Sequence, residues 1–312
     1  MKKISILIPC YNEEENVVPI SKAIEAELIK TCPAYDYEIC FIDNSSTDNT
    51  KLLLRELCHN NKKIKAIFNA HNFGQNNSPY YGITQLDGDC VILICCDFQD
   101  PIELIPKMIS EWENGAKIVS CIKTTSLENK FIRFLRTCYY KVIRKLSDVD
   151  QIEHFTGFGL YDKDFVDVLR NLHDPTPFLR GIVAELGFKR VEISYQQAKR
   201  KAGKTHNNWY TLFDIAMLSF TSYTKVGLRM ATILGAFIAI FSMLVALGYF
   251  IYKLLHWDTF PAGIAPLVIG VFFLGALQLF FIGFLGEYIM SINQRIMNRP
   301  LVIEEERLNW DK

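Results

Sequence analysis

The sequence has no excess of charge of either sign, because 34 basic side chains balance 34 acidic ones in 312 residues. A chain with zero formal net charge has no long-range field that would gather a polyanion, so we expect no nucleic-acid partner. The sequence also lacks Cys-x-x-Cys pairs and the Cys/His spacing of zinc sites, although nine cysteines lie between Cys10 and Cys138. An odd number of cysteines without a pairing pattern predicts free thiols in a reducing compartment.

A secretory signal is a second absence. The chain begins MKKISILIPCYNEEENV, and its short apolar run is interrupted at Pro9 and ends before Glu13. A signal peptide needs a longer uninterrupted apolar core. We therefore expect the N-terminal part of the chain in the cytosol.

Two common nucleotide-binding motifs are also missing. After the first predicted strand the sequence reads PCYNEE, where a dinucleotide fold would have Gly-x-Gly-x-x-Gly. The triplet GKT at 203–205 is preceded by Ala198 at the position where a phosphate-binding loop requires glycine. Two readings of this segment stay open, a basic loop whose Arg200 and Lys204 close over phosphates and a solvated basic turn.

Short runs rich in Ile, Val and Phe alternate with segments of helical spacing before the long apolar region. This alternation predicts an α/β fold with a parallel sheet that is covered on both faces. Ligands of such sheets bind beyond the carboxyl ends of the strands. Polar clusters follow four successive predicted strands there: Tyr11-Asn12-Glu13, Asp43-Asn44-Ser45, Asn72-Phe73-Gly74-Gln75 and Asp97-x-Gln99-Asp100.

The C-terminal third contains two long runs without charge, Ala231–Tyr252 with 22 residues and Thr259–Gly286 with 28. As a helix the shorter run spans roughly 33 Å, and a bilayer's hydrocarbon core is about 30 Å thick. Residues 230–290 are therefore predicted as a transmembrane hairpin with spans at about 230–252 and 262–288, although buried core helices are the alternative. Basic residues favour a cytosolic location of both outer ends: Lys225, Arg229, Arg295 and Arg299, against Lys253 in the turn.

Residues 207–229 mix aromatic, aliphatic and hydroxyl side chains, which predicts an amphipathic helix at the membrane interface. A core helix is the alternative. The predicted organisation is a cytosolic domain over 1–206, the interfacial helix over 207–229, the hairpin over 230–290 and a cytosolic tail over 291–312.

Several segments together resemble a known family: ISILIPCYNEEENV, CFIDNSSTDNT, NFGQ, CDFQDPIELIP, LRGIVAELGF and RKAGKT. They are similar to family 2 glycosyltransferases with the GT-A fold, in the branch of dolichyl-phosphate mannose synthase and bacterial bactoprenol (undecaprenyl-phosphate) glucosyltransferases. The resemblance implies a Rossmann-like, mixed, mostly parallel sheet. It also implies inverting transfer of one sugar from a UDP- or GDP-sugar to a polyprenyl phosphate, with Mg2+ or Mn2+. The implied location is the inner (cytoplasmic) membrane as a multi-pass protein, and packed hairpins make a homo-oligomer the expectation.

The same resemblance implies roles for individual residues. Asp97 and Gln99 would hold the metal, and Asp43 would hydrogen-bond the base. The catalytic residues would be Asp97, Asp100 and Arg200. The donor-binding residues would be Pro9, Tyr11, Asn12, Glu13, Asp43, Asn44, Asn72, Gly74, Gln75, Cys96, Arg180 and Lys204. A purely structural role remains the alternative for single residues, since Asn44, Ser45 and Asp48 could cap a helix.

The sequence departs from this family in two places. Cys95 stands where relatives have the first metal-binding aspartate, and a thiolate is a poor ligand for Mg2+ or Mn2+. We therefore expect Cys95 and Cys96 to be small buried thiols that end the strand, with a redox or soft-metal role as the alternative. Gly157 and Gly159 stand where relatives have Asp and Arg, which would leave more room beside the donor sugar. Acceptor-phosphate binding would then pass to Arg133, Arg136 or Lys123.

Two other functions stay open. A glycan-extending transferase is disfavoured by the single hairpin and by the absence of a late Gln-x-x-Arg-Trp element. A catalytically inactive membrane scaffold is suggested by the missing aspartate and arginine.

Overall fold

The computed structural model describes residues 1–125, 152–198, 217–218, 220–223, 226–255, 264–297 and 299–310. Its strands are β1 Lys3–Cys10, β2 Asp36–Asp43, β3 Ile64–Asn69, β4 Cys90–Leu93, β5 Ile118–Thr125, β6 Phe155–Asp162, β7 Arg190–Gln196 and β8 Glu304–Leu308. Its helices are α1 Val17–Thr31, α2 Thr50–Asn60, α3 Gly74–Gln85, α4 Ile105–Glu113, α5 Lys163–Asn171, α6 Leu179–Glu185, α7 Val226–Leu255 and α8 Ile264–Ile296.

The eight strands form one sheet in the order β7-β5-β6-β4-β1-β2-β3-β8. The four central strands β4, β1, β2 and β3 run parallel, and β7 runs parallel to β5. Strands β6 and β8 are antiparallel to their neighbours. The predicted α/β fold with a mixed, mostly parallel sheet is confirmed. We call these strands and the helices that pack on them the sheet domain.

Strand β1 is buried on both faces, which explains its nearly continuous apolar sequence KISILIPC. Its alternating side chains divide between two cores. Ile6 and Ile8 belong to the core on the α1 side, and Leu7 belongs to the other core with Tyr80 and Ile83 of α3. Helices on both faces thus hold β1 in place, and its carboxyl end lies in the middle of the sheet.

Beyond the sheet domain the chain forms the long helices α7 and α8. Within the described residues, one segment, Phe273–Ile296 of α8, is long and apolar enough to cross a membrane. The two-helix membrane hairpin therefore stays a prediction. The predicted interfacial helix at 207–229 lies mostly outside the described residues, and its last residues, from Val226, form the first turn of α7.

Strand β8 was not predicted from the sequence, where its residues counted only as tail. It pairs antiparallel with β3 at the edge of the sheet. Two ion pairs join it to α2, Lys51 with Glu305 at 2.8 Å and Arg55 with Glu306 at 2.7 Å. The chain therefore returns to the sheet domain after α8.

Residues just before α7 and in the last turn of α8 also contact the sheet domain. The ring of Tyr223 lies so close to Gly181 of α6 that a β-carbon there would overlap it. In the last turn of α8, Arg295 donates to Ser222 Oγ at 3.1 Å and lies 3.9 Å from the Asp174 carboxylate. A cavity of about 370 Å³ at this junction is lined by residues that include Asp174, Ser222, Tyr223 and Arg295. Among the described residues, the sheet domain thus meets the segments that flank the long helices at this junction and through β8.

Candidate active site

The carboxyl ends of β1 to β4 meet at one edge of the sheet because these strands are parallel. Each segment that leaves this edge turns through a residue with positive φ: Asn12 at 56°, Ser45 at 64°, Gly74 at 88° and Phe98 at 57°. Residues such as Ser45 and Phe98 adopt this conformation at a cost of about 1–3 kcal/mol, and such backbone concentrates at functional sites. The edge is therefore the candidate active site.

Side-chain hydrogen bonds connect the ends of β1 and β2. The backbone N–H of Asn12 donates to Ser46 Oγ at 2.8 Å, and the backbone N–H of Thr47 donates to Asn12 Oδ1 at 2.8 Å. The Glu13 N–H donates to Thr50 Oγ1 at 2.9 Å. These bonds hold the strained turn at Asn12 against the loop that follows β2.

Asp43, the last residue of β2, is fully buried. Its carboxylate accepts from the Ser46 N–H at 3.0 Å and from the Ser46 hydroxyl. Burial raises the pKa of Asp43, and the bonds from Ser46 oppose that rise. The carboxylate thus faces the loop of its own strand, and its predicted contact with the base remains a prediction.

Asn44 connects the ends of β2 and β3. Its Oδ1 accepts from Asn69 Nδ2 at 3.1 Å and from the Phe73 N–H at 2.9 Å, and its Nδ2 donates to Asn72 Oδ1 at 2.8 Å. The helix-capping alternative applies instead to Asp48, which accepts from the Thr50 N–H at 3.0 Å. Asn44 therefore organises the site and does not cap a helix.

The cysteine pair at the end of β4 is not one buried unit. Cys96 is 2 % exposed, as expected, but Cys95 is exposed, so the expectation of two buried thiols was wrong for Cys95. Desolvation, then the charges of Asp100 and Asp97, raise the pKa of this thiol well above its usual value.

The acidic loop follows β4 and contains three predicted site residues, Asp97, Gln99 and Asp100. They lie together but have different surroundings. Asp100 is 3 % exposed, and it accepts from the Tyr195 hydroxyl at 2.9 Å and from the Cys95 N–H at 3.2 Å. Asp97 Oδ1 accepts from the Gln99 N–H at 3.1 Å, and Gln99 Oε1 accepts from Gln197 Nε2 at 2.9 Å. Both carboxylate oxygens of Asp100 thus accept hydrogen bonds that hold the loop in place.

The donor set of this loop suits a hard cation. The described residues contain no group of three or more His, Cys, Asp or Glu side chains that could hold a metal ion. Mg2+ is, however, commonly held by only one or two protein carboxylates plus substrate phosphates and water. The Asp97 carboxylate and the Gln99 amide oxygen, which can accept a second bond, fit that pattern.

The two glycines of β6 differ in the room that they leave for a side chain. A β-carbon on Gly159 would overlap the carbonyl oxygen of Val119 in the neighbouring strand. Gly157 has a φ of 101°, and a β-carbon there would lie 3.5 Å from Leu93. The interpretation as extra space beside the sugar was therefore wrong for Gly159, where the β5 backbone occupies the volume. For Gly157, where a β-carbon would make an ordinary contact with Leu93, it stays a prediction.

The other predicted site residues surround the same edge or lie elsewhere. Pro9 and Tyr11 are half-buried at the end of β1, and Gln75 is exposed in the first turn of α3. Arg180 is half-buried and follows Leu179, whose side chain approaches Gly157. Lys123 is half-buried in β5. Four predicted residues lie outside the described residues: Arg133, Arg136, Arg200 and Lys204.

Sequence reasoning missed several residues that organise the site: Ser46, Thr50, Asn69, Tyr195 and Gln197. Ser46 and Thr50 stand beside the possible capping residues Ser45 and Asp48, and Asn69 is the last residue of β3. Tyr195 alternates with Ile193 as a buried position of β7, so its sequence signal was that of a core residue. Only their partners across the sheet reveal what they do.

A parallel sheet with strained turns and polar clusters at the carboxyl ends of four strands defines the class of α/β enzymes that bind a nucleotide-like ligand at that edge. The family described as "Glycosyl transferase family 2" matches residues 5–187. The chain belongs to this family, and the predicted family resemblance is confirmed.

Named relatives match almost the whole chain. A SfII prophage-derived bactoprenol glucosyl transferase of Shigella flexneri is 32% identical over 302 residues, 96% of this chain and 97% of the relative. A prophage bactoprenol glucosyl transferase homolog of Escherichia coli K12 is 30% identical over 303 residues, 96% of this chain and 98% of the relative. A solved mannosyltransferase of Pyrobaculum calidifontis in complex with GDP-Man and Mn2+ is 14% identical and covers 96% of this chain and 88% of that one, at a TM-score of 0.45.

Proposed function

We propose that this glycosyltransferase moves one sugar from a UDP- or GDP-sugar to a polyprenyl phosphate at the cytosolic face of the membrane, with inversion. One observation carries the proposal. The family match ends at residue 187, whereas the likeness to bactoprenol glucosyl transferases extends over 96% of the chain. The likeness therefore includes the long apolar helices, which a transferase acting on a lipid needs and a soluble-acceptor enzyme does not.

The position of β8 supports the membrane hairpin. The chain leaves the sheet domain before α7 and pairs with β3 again after α8. A chain that leaves one side of a membrane and returns to it must cross an even number of times. Two crossings, by α7 and α8, satisfy this requirement and leave the active site and β8 on the same side. The flanking basic residues favour the cytosol for that side.

The acceptor determines what the protein has to do. A phosphate monoester has a second pKa near 6 and is mostly dianionic at neutral pH, so it can attack without a strong general base. The barrier then lies mainly in positioning the two substrates and in stabilising the departing nucleotide diphosphate. A divalent cation, when bound, would neutralise charge on that leaving group.

The chain's own residues have defined parts in this proposal. Asp97 and Gln99 would hold the cation, and Arg200 and Lys204 would approach the donor phosphates. Polar groups at the ends of β1, β2 and β3 would bind the nucleoside, including Asn12, Asn44 and Asn72. Asp100 would keep the acidic loop in its conformation. Cys95 would lie beside the site without binding the cation.

The test is a donor panel. Detergent-solubilised full-length protein would be mixed with undecaprenyl phosphate, Mn2+ and radiolabelled UDP- or GDP-sugars, one at a time. We expect one donor to label an organic-extractable lipid and EDTA to abolish this labelling. Label in polysaccharide instead of lipid would support the glycan-extending alternative. Nucleotide binding without turnover of any donor would support the inactive scaffold.

A further inference from the structure

Tyr195 near the end of β7 and the two residues just beyond that strand contact the acidic loop at three places. The Tyr195 hydroxyl donates to Asp100 at 2.9 Å, Gln197 Nε2 donates to Gln99 Oε1 at 2.9 Å, and the Ala198 N–H donates to the Gln99 carbonyl oxygen at 3.3 Å. Strand β7 is at the far end of the sheet, with β5 and β6 between it and β4. These contacts therefore connect an outer strand to the loop that leaves the centre of the sheet.

Tyr195 is itself held firmly. It is 5 % exposed, its ring packs edge-on against Phe158 at 5.4 Å, and its carbonyl oxygen accepts from Thr124 Oγ1 at 2.9 Å. A buried ring that packs against Phe158 and bonds through its hydroxyl restrains its partner, so Asp100 has little freedom to turn.

Asp100 in turn restrains the acidic loop, which contains Asp97 and Gln99. Its second oxygen accepts from the Cys95 N–H at 3.2 Å, at the start of the segment that contains Asp97. Gln197 acts on the other side of Asp97, because it occupies one lone pair of the Gln99 amide oxygen. Along the chain, Asp97 thus lies between Cys95, which is bonded to Asp100, and Gln99, which is bonded to Gln197.

We propose that Tyr195 and Gln197 are positioning residues that orient Asp97 and Gln99 for the cation of the donor complex. This inference rests on the metal-binding roles that the proposed function gives to Asp97 and Gln99. Hydrogen-bond partners of this kind orient metal ligands, and their loss typically lowers metal affinity or activity by about 10–100-fold.

The experiment compares Tyr195→Phe and Gln197→Ala with matched controls. Tyr37→Phe removes another tyrosine–carboxylate bond, to Glu25 at 2.9 Å, and Gln196→Ala changes the exposed neighbour of Tyr195. Mn2+ binding to the full-length protein is measured by electron paramagnetic resonance with UDP and, separately, with GDP. We expect Mn2+ affinity to fall about tenfold in both test variants and to stay at the wild-type value in both controls.

A second readout separates positioning from general damage. Raising the Mn2+ concentration should restore kcat in Gln197→Ala, because only the occupancy of the site is lowered. Wild-type Mn2+ affinity in Tyr195→Phe and Gln197→Ala would overturn the positioning role while leaving sugar transfer intact. Mn2+ binding by the wild type without any sugar transfer to lipid would instead overturn the proposed function, and the affinity comparison would still decide the inference.

Discussion

The two ends of the same parallel strands use charge in opposite ways. At the amino ends, the buried Glu38 accepts from Lys3 at 2.7 Å, from Lys65 at 2.9 Å and from Ser5 Oγ at 2.5 Å. At the carboxyl ends, Asp43 is held by Ser46 and Asp100 by Tyr195 and a backbone N–H. Carboxylates held by neutral donors keep their negative charge available to the surroundings.

The pKa directions agree with this difference. Burial favours a raised pKa for Glu38, but the bonds from Lys3, Ser5 and Lys65 outweigh it, and the pKa is lowered. Burial raises the pKa of Asp43 and Asp100, and neutral donors only partly oppose that rise. One end of the sheet thus contributes stability through ion pairs, and the other retains an electrostatic cost at the candidate active site.

The largest expected effect is on stability at the amino end. Glu38→Gln leaves Lys3 and Lys65 without their shared partner, and removing one member of a buried ion pair costs roughly 3–5 kcal/mol. We expect about 3 kcal/mol, because the lysine side chains remain 32% and 16% exposed and can reach water. Urea unfolding of the solubilised full-length protein, followed by tryptophan fluorescence, measures it.

The pH dependence of this loss follows from the lowered pKa. A folded-state pKa below the unfolded value stabilises the protein above pH of about 4.3 and loses that contribution as pH falls through the folded value. The stability difference between wild type and Glu38→Gln should therefore shrink below pH 4. Activity per folded molecule should not change, and a specific loss of turnover would contradict the division between the two ends.

The next effect is on activity at the carboxyl end. Asp97→Asn removes the charge that would hold the cation, and we expect sugar transfer to fall by about 10²–10³-fold with little change in stability. Cys95→Ser is the matched control in the same loop and should keep most of the activity. Equal losses in the two variants would show that Cys95 takes part in the chemistry after all.

A smaller effect tests the network between β2 and β3. Asn44→Ala removes the acceptor of the Phe73 N–H and of Asn69, and unpaired buried donors cost about 1–3 kcal/mol. Nucleotide affinity should fall together with stability. Asn60→Ala, at the exposed last residue of α2, is the control and should change neither. An unchanged affinity in Asn44→Ala would remove Asn44 from the nucleoside site.

The smallest expected effect has the opposite sign. Asp43→Asn removes a buried charge whose pKa is raised in the folded state, so ionisation at neutral pH destabilises the wild type. We expect the variant to be more stable by about 0.5–1 kcal/mol and to bind UDP or GDP more weakly, as a stability–function trade-off predicts. Isothermal titration beside urea unfolding measures both. A destabilised variant would place Asp43 with Glu38 and break the comparison.

Much of the site was predictable because it depends on local sequence. The apolar run of β1 and the acidic cluster after β4 are each contained in about a dozen residues, and a parallel sheet brings such strand ends together. The exposure of Cys95 was not predictable, because it depends on which other segments cover the end of β4. The clash at Gly159 was not predictable either, since it comes from the backbone of β5.

The sequence by itself determined the order of strands and helices as far as α8, the positions of the polar clusters and the family, because all of these depend on periodicity and on motifs read along the chain. Only the tertiary structure decided which groups hold those clusters. Tyr195 and Asp100 are 95 residues apart, and β8 pairs with a β3 that precedes it by more than two hundred. Such contacts form between elements whose local sequences indicate only burial, so their partners appear only when the sheet is assembled.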